Sequence, residues 1–210
     1  MNRHPILIAA LLLTLFGVLG TSLVAFTHEQ TRERIQANER QALLRSLQAL
    51  VPASEVDNDM ADDSLLVHAP ELLGSPETRV YRGRKGGEPV ATVFTSVAPN
   101  GYSGPIRLLV GVRRDGTLAG VRVVAHKETP GLGDKIDERK SDWVLAFTGR
   151  SLGDPPPQLW KVRRDGGYFD QFTGATITPR AVVKAVRGTL EFARREGARI
   201  YAAKPAADGA

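Results

Sequence analysis

Residues 5–26 read PILIAALLLTLFGVLGTSLVAF, 22 positions without a charged side chain. Wound as an α-helix at about 1.5 Å per residue, this stretch reaches about 33 Å, enough to span a hydrocarbon core. It is longer than the apolar region of a cleaved signal peptide, roughly 7–15 residues, and its distal end lacks a small-x-small cleavage pattern. Residues 1–27 therefore read as a retained transmembrane anchor. Polar and charged residues dominate the next segment, HEQTRERIQANERQALLRSLQALVP. Leu43, Leu47, Leu50 and Val51 recur there at helical spacing, which predicts a helix ending before Pro52. The stripe covers barely two turns, too little for a coiled coil, so the segment reads as a stalk that continues the anchor and docks on a domain.

Residues 54–78 contain seven carboxylates (Glu55, Asp57, Asp59, Asp62, Asp63, Glu71, Glu77) and no lysine or arginine. The alternating acidic ladder and closing glutamate of a calcium loop are missing. Residues 28–78 are accordingly assigned to a helical stalk and a solvated acidic connection. From residue 79 the pattern changes to alternation. Segments 79–83, 89–99, 106–112 and 118–126 are rich in valine and isoleucine and predict strands. Asp115-Gly116 marks a hairpin turn between the last two. Asp165-Gly166 suggests a second hairpin joining LWKVRR to YFDQF. Helices are predicted near residues 141–147 and over residues 179–196. The fold class is α+β: an antiparallel sheet with packed helices, preceded by one transmembrane helix. The domain is placed at residues 79–200, with 201–210 as a disordered tail.

Composition removes several chemistries. The chain has no cysteine, which excludes disulfides, zinc–thiolate and iron–sulfur sites, and a cysteine nucleophile. Net charge is +5 and the sequence pI near 9.7. No long basic run or aromatic–basic interleaving accompanies that charge, so nucleic acid is not an expected partner. Arginines 3, 32, 34 and 40 flank both ends of the span, the last three mixed with Glu29, Glu33 and Glu39. Charge bias thus orients the anchor weakly. The short tail ahead of the span favours a cytoplasmic amino terminus and an exported domain.

Two stretches carry candidate chemistry. In FDQFTGATITPRAVVKAV, residues 169–186, Thr178 and Pro179 suit the cap and first position of a helix. Thr173, Gly174, Ala175 and Thr176 exceed what a cap requires. Gly174 permits a turn and close ligand approach, and the open amides of a helix start suit an anion such as phosphate. Arg180 and Lys184 are like charges one turn apart near that start, where a bound dianion would relieve their repulsion. On these residues alone, a plain cap and a phosphate site both stand. The second stretch, HKETPGLGDKI (126–136), is a loop turned by Pro130, Gly131 and Gly133. His126 and Glu128 hint at a metal or acid–base pair, but no third ligand accompanies them in a suitable pattern. No nucleophile elbow supports a hydrolase.

Asp170-Gln-Phe-Thr173-Gly174-Ala175-Thr176 resembles the D-x-x-[ST]-G-A-T flavinylation motif of the FMN-binding domain family. Glu128-Thr129-Pro-Gly131-Leu132-Gly133 resembles the E-T-P-G-L-G segment shared by the G subunit of Rnf-type complexes and the C subunit of sodium-pumping NADH:quinone reductases. Residues 101–112 and 160–183 are similar to the Rnf G subunit in particular. The resemblance spans anchor, stalk and domain.

It implies FMN held covalently through a phosphoester on Thr176, placed there by a separate flavin transferase. Asp170, Thr173, Gly174, Ala175 and Thr178 would surround the attachment point, with amides near Gly174 and Ala175 steadying the phosphate. Glu128, Thr129, Gly131, Leu132 and Gly133 would pack beside the flavin. The implied function is electron relay within a membrane-bound Rnf-type complex that couples electron transfer to ion translocation. The implied location is the bacterial inner membrane, in contact with lipid and the other Rnf proteins, with the domain on the periplasmic side. No metal and no independent substrate chemistry are expected. The competing reading is a membrane-anchored assembly or binding module without cofactor, in which Thr173 and Thr176 merely cap a helix.

Overall fold

Uncharged residues 5–26 form one uninterrupted stretch of α1 (His4–Gln48), and all of them are exposed. The helix is long and apolar enough to cross a membrane. Thr14 and Thr27 donate their hydroxyls back to the carbonyls of Ala10 and Leu23 at 2.9 and 2.8 Å. That satisfies polar groups a bilayer would leave without water. This computed structural model describes residues 4–204, so the last six residues of the expected tail lie outside the described part. The chain divides into two units, Met1–Leu43 and Leu44–Ala210.

The second unit is built on five antiparallel strands in the order β1-β2-β3-β4-β5: β1 (Ser64–Val67), β2 (Thr78–Lys85), β3 (Glu88–Ala98), β4 (Ile106–Arg113) and β5 (Leu118–Ala125). The four predicted strands occur as β2 to β5. Asp115-Gly116 makes the β4–β5 turn, with Gly116 at φ 85° and the Asp115 carboxylate accepting from the Thr117 amide and hydroxyl. One face of the sheet presents Val80, Phe94, Ile106, Leu108, Val110 and Val121 to α3 (Ile177–Ala202). Val182, Val186 and Leu190 of α3 are buried there, and Phe192 meets Phe94 edge-on at 6.1 Å. Gly188 of α3 is where α2 (Pro70–Leu73) approaches; a Cβ there would sit 2.4 Å from the Leu72 carbonyl oxygen. The opposite face is lined by glycines. Added Cβ atoms at Gly111 and Gly120 would come within 3.3 and 3.0 Å of Leu50, and one at Gly83 within 2.8 Å of Val56. Leu47, Leu50, Val51 and Met60 are buried accordingly.

Residues 44–78 are therefore part of the folded unit rather than a solvated connection, and the unit starts ahead of residue 79. The reason is charge pairing. Asp63 binds Arg82 and Arg84 of β2, Glu55 binds Arg113 of β4, and Asp57 accepts the Gly86 amide at 2.7 Å. Each of these acidic side chains answers a cation or amide of the sheet, a match that a local count of carboxylates does not reveal. The second predicted hairpin is also absent. Residues 163–165 form a 3₁₀ turn, and Val162 and Phe169 meet only in an isolated parallel bridge. The aromatic residues there enter a cluster instead: Phe147 stacks on Phe169 at 4.5 Å, and Trp143 meets Phe147 and Phe172 at 5.4 and 5.3 Å. The helix near residues 141–147 is a 3₁₀ helix, Asp142–Phe147, capped by Ser141.

Arg82 is wholly buried and caps the far end of α3, donating from Nη1 to the Ile200 carbonyl at 2.8 Å and to that of Ala203. Arg84 reaches the Tyr201 carbonyl at 2.9 Å. These partners carry α3 through Ala202, beyond the predicted end near residue 196, so Tyr201 belongs to a helix rather than a tail. Removing Arg82 would empty a fully buried side-chain site, leave Asp63 with Arg84 alone and strand the Ile200 and Ala203 carbonyls at the end of α3. We expect Arg82→Ala to cost about 3–5 kcal/mol, read by denaturant unfolding of the detergent-solubilised chain.

Candidate functional site

The stretch ahead of α3 folds into a tight turn from Phe172 to Ala175, closed by the Ala175 amide donating to the Phe172 carbonyl at 3.1 Å. Gly174 sits in it at φ 80°, a conformation L side chains rarely adopt. Phe172 drops into the aromatic cluster, and the Trp143 indole N–H donates to the Asp170 carbonyl at 2.8 Å. The turn is thereby pinned from below while Thr173 and Gly174 stay exposed. Thr176 is the residue just before the helix, at φ −73° and ψ −28°, and its hydroxyl makes no capping hydrogen bond. Its side chain is half-buried. The amides of Ile177 and Thr178 have no partner among the described residues, and Pro179 has none to offer. The Ala175 amide is spent inside the turn, so the open donors at Ile177 and Thr178 lie two and three residues beyond it.

Thr178 is not the cap, because the helix starts at Ile177. It is fully buried and donates its hydroxyl to the Glu128 carboxylate in a short contact. Glu128, 4% exposed, also accepts the Ser103 amide at 3.0 Å. One carboxylate thus joins three segments: the loop at 101–104, the loop at 126–133 and the start of α3. Glycines make room for it. A Cβ at Gly133 would fall 2.9 Å from Glu128 Oε2, and one at Gly101 the same distance from Oε1. His126 accepts the Glu128 amide through Nδ1 at 3.1 Å, so it shapes the loop instead of facing the carboxylate. The Thr129 carbonyl gathers the amides of Leu132 and Gly133 at 3.1 Å each, with Gly131 at φ 78°. Leu132 is left 42% exposed, its Cδ2 3.7 Å from where a Gly174 Cβ would stand. The two sequence motifs, far apart along the chain, are therefore neighbours in space. Leu132 and Ile177, the latter 46% exposed, give the surroundings of Thr176 an apolar character.

Three residues of the 163–165 turn also reach this region, and no motif in the sequence points to them. Arg163 pairs with Asp170 at 3.0 Å. The Arg164 amide donates to Gln171 Oε1 at 3.0 Å, and its Nη1 lies 3.5 Å from the Thr176 hydroxyl oxygen. Asp165 takes Arg180 in a two-point pair at 2.7 and 2.8 Å. Those hydrogen bonds hold the Asp165 carboxyl below the usual range, so it is ionised at neutral pH. Arg180 thus has a carboxylate of its own and needs no bound dianion to offset Lys184. Nothing in the spacing of RRD signals these contacts, because they depend on a 3₁₀ turn whose sequence suggests a hairpin. Tyr102, 68% exposed beside the Ser103 amide that binds Glu128, carries no sequence signal either.

Comparison with known proteins decides the family. Residues 101–191 match the FMN-binding domain, and residues 1–50 match the RnfG N-terminal region. A Pseudoalteromonas atlantica protein, named as the G subunit of an ion-translocating oxidoreductase complex, is 50% identical over 92% of this chain and 90% of its own length. The chain belongs to the Rnf complex G-subunit family. The Pseudomonas aeruginosa relative of the same name is 48% identical over 98% of this chain and 97% of its own, and that of Vibrio atlanticus 45% over 91% and 92%. The 128–133 and 170–176 motifs both lie inside the matched FMN-binding segment. The family resemblance read from them is thereby borne out, as is the α+β class with an antiparallel sheet.

The Glu128 junction has a measurable consequence. Replacing it with alanine orphans the buried Thr178 hydroxyl and releases the Ser103 amide, and we expect Glu128→Ala to lose about 3 kcal/mol. Glu128→Gln, which retains acceptor capacity, should lose less. Thermal and denaturant unfolding of the two variants checks both values.

Proposed function

We propose that this chain is an electron-relay flavoprotein of a membrane-bound Rnf-type complex, with FMN esterified to Thr176. The observation that carries the reading is the Thr176 hydroxyl itself. It stands at the threshold of α3 and serves no capping bond, which argues against the purely structural role of a helix cap. The residues present fit the group. A glycine turn keeps the approach open, the Ile177 and Thr178 amides suit a phosphate at the positive end of a long helix, and Leu132 and Ile177 offer apolar surface to a ring.

When bound, FMN supplies one- or two-electron chemistry. This chain's residues hold and shield. The Phe172–Ala175 turn, tied to Trp143 and the aromatic cluster, fixes where the Thr176 oxygen stands. Glu128, occupied by Thr178 and Ser103, keeps the 126–133 loop against that turn and keeps its own charge turned inward. A covalent ester would prevent loss of the cofactor from an exported domain. The relatives' name supports membership of an ion-translocating oxidoreductase, and α1 supports single-pass anchoring. We place the anchor in a bacterial inner membrane, surrounded by lipid and the other Rnf proteins, with the domain on the periplasmic side and maturation by a flavin transferase.

Two measurements test this reading. Co-produced with its flavin transferase, the chain should give a fluorescent band on a denaturing gel and an FMN adduct that peptide mass analysis assigns to Thr176. Thr176→Val should abolish the adduct while shifting the unfolding midpoint little. An unmodified native chain would end the covalent assignment. A reporter active only outside the cytoplasm, fused after Ala210, should be active; activity of a cytoplasm-only reporter would reverse the topology.

A further inference from the structure

We infer that Arg164 is the positioning residue for the phosphate at Thr176, supplying the counter-charge to the ester; the inference rests on the covalent attachment proposed for that threonine. Three charged residues of one 3₁₀ turn face the motif, and two are already matched. Arg163 takes Asp170, while Asp165 takes Arg180. Arg164 has no carboxylate within ion-pair distance among the described residues, and it is the one whose guanidinium approaches the Thr176 oxygen, at 3.5 Å. That separation is long for a hydrogen bond to a hydroxyl. It suits a cation waiting for non-bridging oxygens that a phosphodiester would add just beyond Oγ. Such a diester carries one negative charge, and a guanidinium fork matches its geometry.

The backbone makes this placement specific. The Arg164 amide is fastened to Gln171 Oε1, and Arg163 N–H donates to the Phe169 carbonyl at 2.7 Å. The Gly166 and Gly167 amides close back onto Arg163 and Val162 at 2.9 and 3.0 Å. A Cβ at Gly167 would strike the Lys161 backbone at 2.0 Å, so the chain can fold this tightly only with glycine there. The outer two ion pairs then set the register: with Arg163 and Asp165 anchored to opposite flanks of the motif, the middle side chain is directed at Thr176. Asp170 takes on a structural meaning in this arrangement, because it occupies Arg163 and leaves Arg164 as the available cation.

The test uses the full chain in membranes, co-produced with limiting flavin transferase, and compares the native protein with Arg164→Gln, Arg164→Lys and Lys184→Gln. Flavin attachment is followed by intact mass, and the ester by its phosphorus resonance. We expect Arg164→Gln to slow attachment roughly tenfold and to shift the phosphorus resonance of whatever ester forms. Arg164→Lys, which keeps the charge but not the fork, should recover part of the rate. Lys184→Gln, an equal charge change further along the helix, should behave as the native chain does. Unfolding midpoints close to native in all three would exclude a folding defect as the cause. The inference is overturned if Arg164→Gln labels at the native rate with an unshifted resonance. Failure of lysine to rescue, or equal slowing by Lys184→Gln, overturns it as well. A native chain that takes no flavin defeats the covalent reading, and this inference with it; a labelled native chain beside an indifferent Arg164→Gln defeats the inference alone.

Discussion

A carboxylate with almost no access to water holds together the end of this domain where the two motifs meet. Glu128 spends its acceptors on the Thr178 hydroxyl and the Ser103 amide, and three segments distant in sequence converge on it. Burying such a group is costly unless its hydrogen bonds are made, so the surrounding geometry has little freedom. Glycines at 101 and 133 answer the same demand, since any side chain there would collide with the carboxylate. The motif loop at 126–133 is therefore held by an internal polar tie rather than by a sheet ladder. Its apolar Leu132 is pressed outward beside the turn that precedes α3.

The rest of the unit solves a different problem, covering both faces of one sheet with a short chain. A long amphipathic helix fills one face through conventional apolar packing. On the other face, β2, β4 and β5 present glycines, and Val56 and Leu50 settle directly on the backbone. Small residues on the sheet thus take the place of a second packed helix. Glu55 and Asp63 then meet arginines of β4 and β2, so packing and charge pairing fasten the same segment.

Much of this is legible in the residues alone, for identifiable reasons. The long apolar helix, β2 to β5, α3 and the Asp115-Gly116 turn come from period and turn chemistry that act locally. The relation between the two motifs came from family resemblance; no local rule brings Leu132 to Gly174. What escapes a local reading is non-local. The acidic run looks solvated because its arginine partners lie 19 to 58 residues away. The apparent hairpin at 165–166 misleads because the aromatic residues flanking its turn enter a cluster instead of a sheet. Thr178 looks like a cap by residue type, yet its hydroxyl has a buried partner 50 residues earlier.

One consequence of α3 lies in how it is fastened. Near its first turn, Thr178 is tied to Glu128 and Arg180 to Asp165; at its last, carbonyls are gripped by Arg82 and Arg84. A rod clamped at both extremities neither frays nor slides along its axis, so whatever sits on its leading tip inherits a fixed coordinate relative to the sheet. For the electron relay proposed here, where transfer rates fall steeply with separation, such a mount would act as a built-in spacer.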